Sequence, residues 1–419
     1  MVGSTRKKYG GNTKKIWNEK MANAILMHRE DAMTDKANNK QVLQGSDGVT
    51  TTSKKVKTDK FDVHPEAQLP QTYKKNHNLI YSRISMTTHE QNLLALFLIQ
   101  MQKTEWKEET QLEISIPASR LADWLEVESK SLAATIKPVA LRLQKRTVLA
   151  EHPTTHEFES SVLFPTVKYA RGKLTMVPNY DLRDFFHDAS KGYASVNVAR
   201  FLRLRGKYSK PMYDLLSRFK TPEKQLYKTD VMTLKGIFGL VDDKDNYLPG
   251  KKTMKDTSVF VNQALVKSIE EIEEACSDEV MFFNTDPSGK KRHGIIENKT
   301  GNKITSIEFE YLWIDQFIKL HPMDLEAAAE VAMNAENRLR MKKETLTQEE
   351  TEQLAVAYYV LSSHYEKYRP RCRELFYDIY KHYRKISIEK AENESEQTER
   401  PKLKSSALDK LDFLLNVNT

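Results

Sequence analysis

Three short stretches of this 419-residue chain carry residues able to do chemistry. In GKYSKPMYDLLSRFK, residues 206–220, Tyr213 sits inside a Lys/Arg-dense segment. A phenol oxygen among cations suits attack on a phosphodiester. The same tyrosine, beside Met212, Leu215, Leu216 and Phe219, equally suits a helix that holds a domain together. Attack by a tyrosine needs a metal to polarise the phosphate, usually held by a closely spaced histidine pair. The eleven histidines contain no H-x-H pair. The nearest approach is EHPTTHEF, with His152 and His156, and it reads more simply as a polar loop than as a metal site. The stretch LPGKKT has the Gly-Lys of a phosphate-binding loop. However, Asp245 stands where the first glycine belongs, and Lys252 where the metal-binding hydroxyl belongs. Cys276 and Cys372 are the only cysteines and form no C-x-x-C pair, so neither a zinc site nor a disulfide framework is expected. Catalysis is therefore the less favoured class, with no metal or cofactor expected.

Charge points towards binding. The net charge is +8. Residues 1–75 hold 15 Lys/Arg against 8 Asp/Glu, while residues 321–419 hold 16 against 18. Between Arg200 and Lys220 lie seven basic residues and one acid, Asp214. Such a cluster suits a polyanion or, equally, a solvated face. No apolar run approaches the roughly 20 residues that span a bilayer; the unpaired cysteines make a reducing cytoplasm the expected compartment.

The elements that must position these residues follow from periodicity. Residues 1–75 read as a disordered basic arm with one short helix around IWNEKMANAILMHR. Thr87 and Glu90 form a capping box. Leu94, Phe97, Leu98 and Met101 then share a helical face. LEISIP alternates as a strand. PASRLADWLEV and ESKSLAATIKPVALRLQKR are helices, the second buried through Leu132, Ile136, Val139 and Leu143 and kinked at Pro138. SVLFPTVKYA and KLTMVPNY flank an Arg-Gly turn and make a hairpin. The order is that of a winged helix, a helix-turn-helix with a β-ribbon wing.

The pattern then repeats. A helix starts at Ser209, with Pro211 in its first turn. TDVMTLKGIFGL is a short helix ending at a glycine. After a polar loop, SVFVNQALVKSIEEIEEA presents Phe260, Leu265, Ile269, Ile272 and Cys276 to a core. VMFFN, HGIIEN and KITSIEFEYLW are strands. In the last, Ile307, Phe309 and Tyr311 face opposite to Ser306, Glu308 and Glu310. After residue 320 the chain reads as helical. Thr347 and Glu350 make a second capping box, and Leu354, Tyr358, Leu361, Tyr365 and Tyr368 keep one spacing. The fold class is α+β, with two tandem winged-helix domains. The domains are 1–75, a disordered basic arm; 76–205 and 206–320, the winged helices; 321–390, a helical appendage; and 391–419, a flexible tail.

Four stretches in this order resemble the iteron-plasmid replication initiator family: NLIYSRISMTTHEQNLLALFL, SRLADWLEVESKSLAATIKPVALRLQKRTV, GKYSKPMYDLLSRFK, and ALVKSIEEIEEA followed by GNKITSIEFEYLW. The resemblance covers about residues 76–313. It implies two winged helices that bind directly repeated origin DNA (iterons), help open the duplex and recruit host initiator, helicase and other replication proteins. It also implies a monomer–dimer equilibrium, autorepression, a bacterial plasmid-encoded protein, and no covalent attachment to DNA. The chain departs from the family pattern at Pro211, where an arginine is usual. It departs again in the second recognition helix, which lacks early arginines.

The expected DNA contacts follow. In the first recognition helix they are Lys130, Ser131, Thr135 and Lys137, hydroxyls to bases and lysines to phosphates. At the junction they are Lys207 and Lys210, near a helix N-terminus. In the second reader, Lys251, Lys252 and Lys255 position phosphates. Ser258, Asn262 and Gln263 lie on the helix, the two amides suited to adenine edges. Lys299 and Lys303 lie in the second wing. The tail motif KLDFLL, through Leu411, Phe413 and Leu414, faintly resembles peptides that dock on sliding clamps. The alternatives are a winged-helix transcriptional repressor and, less favoured, a tyrosine-dependent DNA nickase.

Overall fold

A computed structural model describes residues 57–399, apart from 108, 152–157, 188–191, 225, 227, 243, 284–293 and 343–344. The chain divides into two compact units. One holds residues up to 210 together with 235–252, the other 211–234 together with 253 onward.

In the first unit, ordered structure begins earlier than composition suggests. Strand β1 (Lys57–Asp62) and strand β2 (Thr72–Asn76) both lie within the span that reads as an arm. Each is held by a partner far along the chain, which local composition cannot register. β1 pairs in parallel with β3 (Thr110–Pro117), and β2 pairs antiparallel with β8 (Tyr193–Asn197). Helix α1 (His77–Tyr81) is capped by the Asn76 side chain, which accepts from the Leu79 amide. Helix α2 (Thr88–Met101) has the expected capping box, with the Thr87 amide donating to Glu90 Oε2 at 2.7 Å. Every residue of α2 from Glu90 to Met101 is buried, not just one face, so it is the central helix of this unit.

Helix α3 (Ala118–Leu125) ends at Glu126, whose φ of 53° is left-handed. Helix α4 (Ser129–Leu143) follows after three residues and runs through Pro138. Its buried residues are Leu132, Ile136, Val139, Ala140 and Leu143, the expected stripe with one addition. A hairpin of β4 (Thr147–Glu151) and β5 (Phe158–Val162) comes next. Then β6 (Thr166–Ala170) and β7 (Lys173–Val177) form the expected ribbon. Arg171 and Gly172 make its turn, with φ of 51° and 67°. The sheet order is β1-β3-β7-β6. Helix α5 (Arg183–His187) and, after β8, helix α6 (Val198–Arg203) complete this part.

Helix α7 (Ser209–Ser217) opens the second winged helix, followed by β9 (Thr229–Asp230) and helix α8 (Val231–Ile237). The third helix runs in three pieces. These are α9 (Thr257–Phe260), a π-helical turn (Val261–Val266) and α10 (Lys267–Ala275). Strand β10 (Val280–Phe282) precedes the wing, β11 (Ile295–Thr300) and β12 (Lys303–Phe309), and then β13 (Tyr311–Trp313). The sheet order is β11-β12-β9. The strand before the helix-turn-helix therefore pairs with the second wing strand in both copies: β3 with β7, and β9 with β12. The chain is a tandem pair of winged helices.

Helices α11 (Asp315–Leu320), α12 (Leu325–Asn337), α13 (Gln348–Ser362) and α14 (Arg369–Glu399) form the helical region. It shares one core with the second winged helix. Phe283, Leu312 and Ile314 cluster with Leu354, Leu361, Cys372, Phe376 and Tyr380. Tyr365 leaves the expected stripe, because α13 stops at Ser362, and it is exposed. Helix α14 runs to Glu399, into a span that reads as a tail.

Candidate nucleic-acid interface

In α4, the residues between the buried positions are the ones that face solvent. Lys130, Ser131 and Lys137 are exposed and Thr135 is half-buried. Lys130 pairs with Glu128 at 2.9 Å, a surface pair that DNA phosphate would displace at little cost. The Thr135 hydroxyl donates to the Ser131 carbonyl at 3.0 Å, so its bond is already made within the helix.

Only two of the seven basic residues between 200 and 220, Arg203 and Arg205, are exposed. Lys210 corrects the sequence reading most clearly. It is fully buried, donating to the Phe201 carbonyl, with its ammonium 4.3 Å from the centre of the Phe201 ring. A long apolar stem, an aromatic face and a backbone carbonyl turn a basic residue into a core residue. Lys220 lies over the Trp313 ring at 4.1 Å, and burial lowers its pKa. Lys207 is half-buried, with its ammonium 3.4 Å from the Ser85 hydroxyl.

Tyr213 is also fully buried. Its hydroxyl donates to Glu279 Oε2 at 2.6 Å, and its ring meets Trp313 edge-on at 5.8 Å. Burial and then the Glu279 carboxylate push the phenol far above its ordinary pKa. A phenol so held supplies no phenolate near neutral pH. Among the described residues, no three His, Cys, Asp or Glu gather as a metal-holding group. His152 and His156 lie outside the described residues.

The third helix of the second winged helix is built differently. Asp256 caps it, accepting from the Ser258 and Val259 amides at 2.7 and 3.2 Å. That carboxylate occupies the position a phosphate would take at a helix N-terminus. Lys252 and Lys255 lie in the 3-10 turn Lys252–Lys255 just before it, and both are exposed, while Lys251 is half-buried. Ser258, Asn262 and Gln263 are exposed, while Phe260, Val261, Ala264 and Leu265 are buried. Both amides lie in the π turn and are exposed.

In the second wing, Gly301 takes φ 63° at the tip, beside the exposed Lys299 and Lys303. Lys299 pairs with Glu297 at 3.4 Å. The first wing has its own exposed cations, Lys168 and Arg171, which the sequence reading passed over. The Arg-Gly turn that predicts the hairpin was the available signal, since it puts Arg171 at the tip. Leu411, Phe413 and Leu414 lie outside the described residues.

Residues 72–217 match the family model described as Initiator Replication protein, WH1. The match spans about a third of the chain, so the likeness to replication initiators is that of its first winged helix. The matched span runs from β2 to the end of α7 and contains the whole first helix-turn-helix and its wing. Among solved structures, a match is the crystal structure of Pi initiator protein in complex with iteron DNA. It shares 16% identity, covers 59% of this chain and 99% of that one, and superposes with a TM-score of 0.45. No curated protein matches. The tandem assignment for this chain rests on the strand orders given above. No described helix is long and apolar enough to cross a membrane.

Proposed function

We propose that this chain is a replication initiator that binds directly repeated origin DNA through both winged helices, helps open the duplex there and recruits host replication proteins. The observation that carries this reading is the repeated strand order, β3-β7-β6 and β9-β12-β11, within a chain whose first domain matches the initiator WH1 model. In the first reader, Lys130, Ser131 and Lys137 meet DNA from α4, and Lys168 and Arg171 from its wing. In the second, Asn262 and Gln263 read base edges while Lys252, Lys255, Lys299 and Lys303 hold phosphates. Thr135, whose hydroxyl bonds within α4, and Lys210, which is fully buried, are not in this set. The chemistry is binding in the cytoplasm without strand cleavage, consistent with the buried Tyr213.

Selection from random duplex DNA tests the reading. It predicts enrichment of one sequence of about two helical turns, present as direct repeats in the cognate origin. Supercoiled origin plasmid with Mg²⁺ should become locally single-stranded and carry no covalently attached protein. A covalent adduct would establish the nickase instead. Sequence-specific binding with no duplex opening, even with host extract, would favour the second reading, a repressor on the same two domains.

A further inference from the structure

Segment 235–252 joins the first compact unit through a specific clasp. Arg83 pairs with Asp245 at 2.8 Å and also donates to the Asp242 carbonyl. Phe238 stacks on Tyr208, centroids 5.9 Å apart and planes 14° apart. Gly239 comes so close to Ser85 that an added Cβ would lie 2.5 Å from the Ser85 Cα. This clasp delivers Lys251 to the same place as Lys207. Both ammoniums lie by the Tyr208 ring, at 6.0 and 5.6 Å from its centre. Lys207 also touches the Ser85 hydroxyl at 3.4 Å.

Two ammoniums brought together by an otherwise well-fastened segment repel each other. The charged groups facing Lys207 are Lys251, Arg146 and Glu90. Glu90 does not neutralise the pair. Arg146 already grips it with bonds of 2.8 and 3.1 Å, and Arg142 lies 3.6 Å away. The place is thus cationic, half-open, and furnished with one hydroxyl.

We propose that Lys207, Lys251 and the Ser85 hydroxyl form one phosphate site that takes a backbone phosphate of the bound DNA. This rests on the DNA-binding reading above and adds a joint site with its own pH response. Burial, and then Lys251, bring Lys207 down to about 8. A phosphodiester between the two ammoniums favours their charged forms and raises that value. Binding therefore takes up a proton near pH 8, and affinity falls as pH rises through this range.

The test uses the full chain, duplex DNA and inorganic phosphate as probes, and three variants: Lys207→Met, Lys251→Met and Lys207→Arg. Wild-type affinity for DNA should fall about tenfold from pH 7 to pH 9, following the loss of one proton from a group titrating near 8. Lys207→Arg should bind at pH 7 and lose most of that fall. Each Met variant should lower the log–log salt slope by about one, equally on specific and random DNA. If millimolar inorganic phosphate raises the thermal midpoint of wild type but of neither Met variant, the site also takes free phosphate. If phosphate has no effect while the DNA changes hold, the site is selective for backbone phosphate. Met variants that keep the wild-type salt slope and pH profile would overturn the site and leave the DNA-binding reading standing. Wild type that binds no DNA would sink that reading, and the phosphate melting series would then decide the site alone.

Discussion

The two winged helices share a strand order and differ at the step from second to third helix. In the first copy three residues, 126–128, make that step, and Glu126 turns the chain in a left-handed conformation. In the second copy nineteen residues, 238–256, do so, and most of them join the first compact unit. The third helices differ as well. The first carries its lysines on the helix and has no side-chain cap. The second carries two amides on its exposed face, a capping aspartate, and lysines just before it. The same topology thus supports two kinds of surface. A helix with lysines at its exposed start is suited to phosphates. A capped helix with adjacent, exposed Asn262 and Gln263 is suited to base edges.

Substitutions can break or sharpen this comparison. The largest effect is expected for Asn262→Ala. It should cost about 1–3 kcal/mol on the preferred site and little on random DNA, read by competition with single-base variants. The matching change in the first reader, Lys137→Ala, should weaken both DNAs alike. Equal behaviour of the two variants would erase the distinction between the readers.

Tyr213→Phe should destabilise the protein by about 1–3 kcal/mol in denaturant melts, because the buried Glu279 carboxylate loses a donor. Its DNA binding should persist below the melting transition. Next comes Arg384→Gln. Arg384 donates from α14 to Glu308 of the second wing and lies 3.7 Å from the buried Glu310. Glu308 in turn accepts from Asn298 at 3.1 Å, beside the bulge between Asn298 and Lys299. Loosening this chain should increase hydrogen exchange in β11 and β12 while leaving β6 and β7 unchanged. Lys255→Ala should lower the salt slope by about one on every sequence. The smallest effect belongs to Thr135→Ala, within about 0.5 kcal/mol in both stability and DNA affinity. A large loss of specificity there would mean its hydroxyl leaves the Ser131 carbonyl for a base.

Local patterns in the sequence were dependable where the structure is locally determined. Both capping boxes, at Thr87/Glu90 and Thr347/Glu350, are formed. The Leu132–Leu143 stripe is buried and the Arg-Gly turn closes its hairpin. What could not be read depends on distant chain. β1 is a strand because β3 lies beside it, 53 residues on at Lys57↔Thr110. The stretch 303–313 reads as amphipathic, yet Ser306 and Glu310 are buried along with Ile307 and Phe309. Arg384 of α14 binds Glu308 and Glu310 on the face expected to meet water. Lys210 fails for a related reason, since no local signal distinguishes a lysine that reaches solvent from one that reaches a carbonyl. Most candidate contacts on α4 and on the helix after Asp256 follow from helical period, and Lys130, Ser131, Lys137, Ser258, Asn262 and Gln263 are exposed, while Thr135 is half-buried.

The central claim is that both winged helices read DNA, and hydroxyl-radical footprinting on the cognate origin tests it most directly. The account predicts protection of about two helical turns per site, with the Asn262 and Lys137 variants each losing protection over a different half. Protection confined to one short half-site, altered by only one of the two variants, would contradict it.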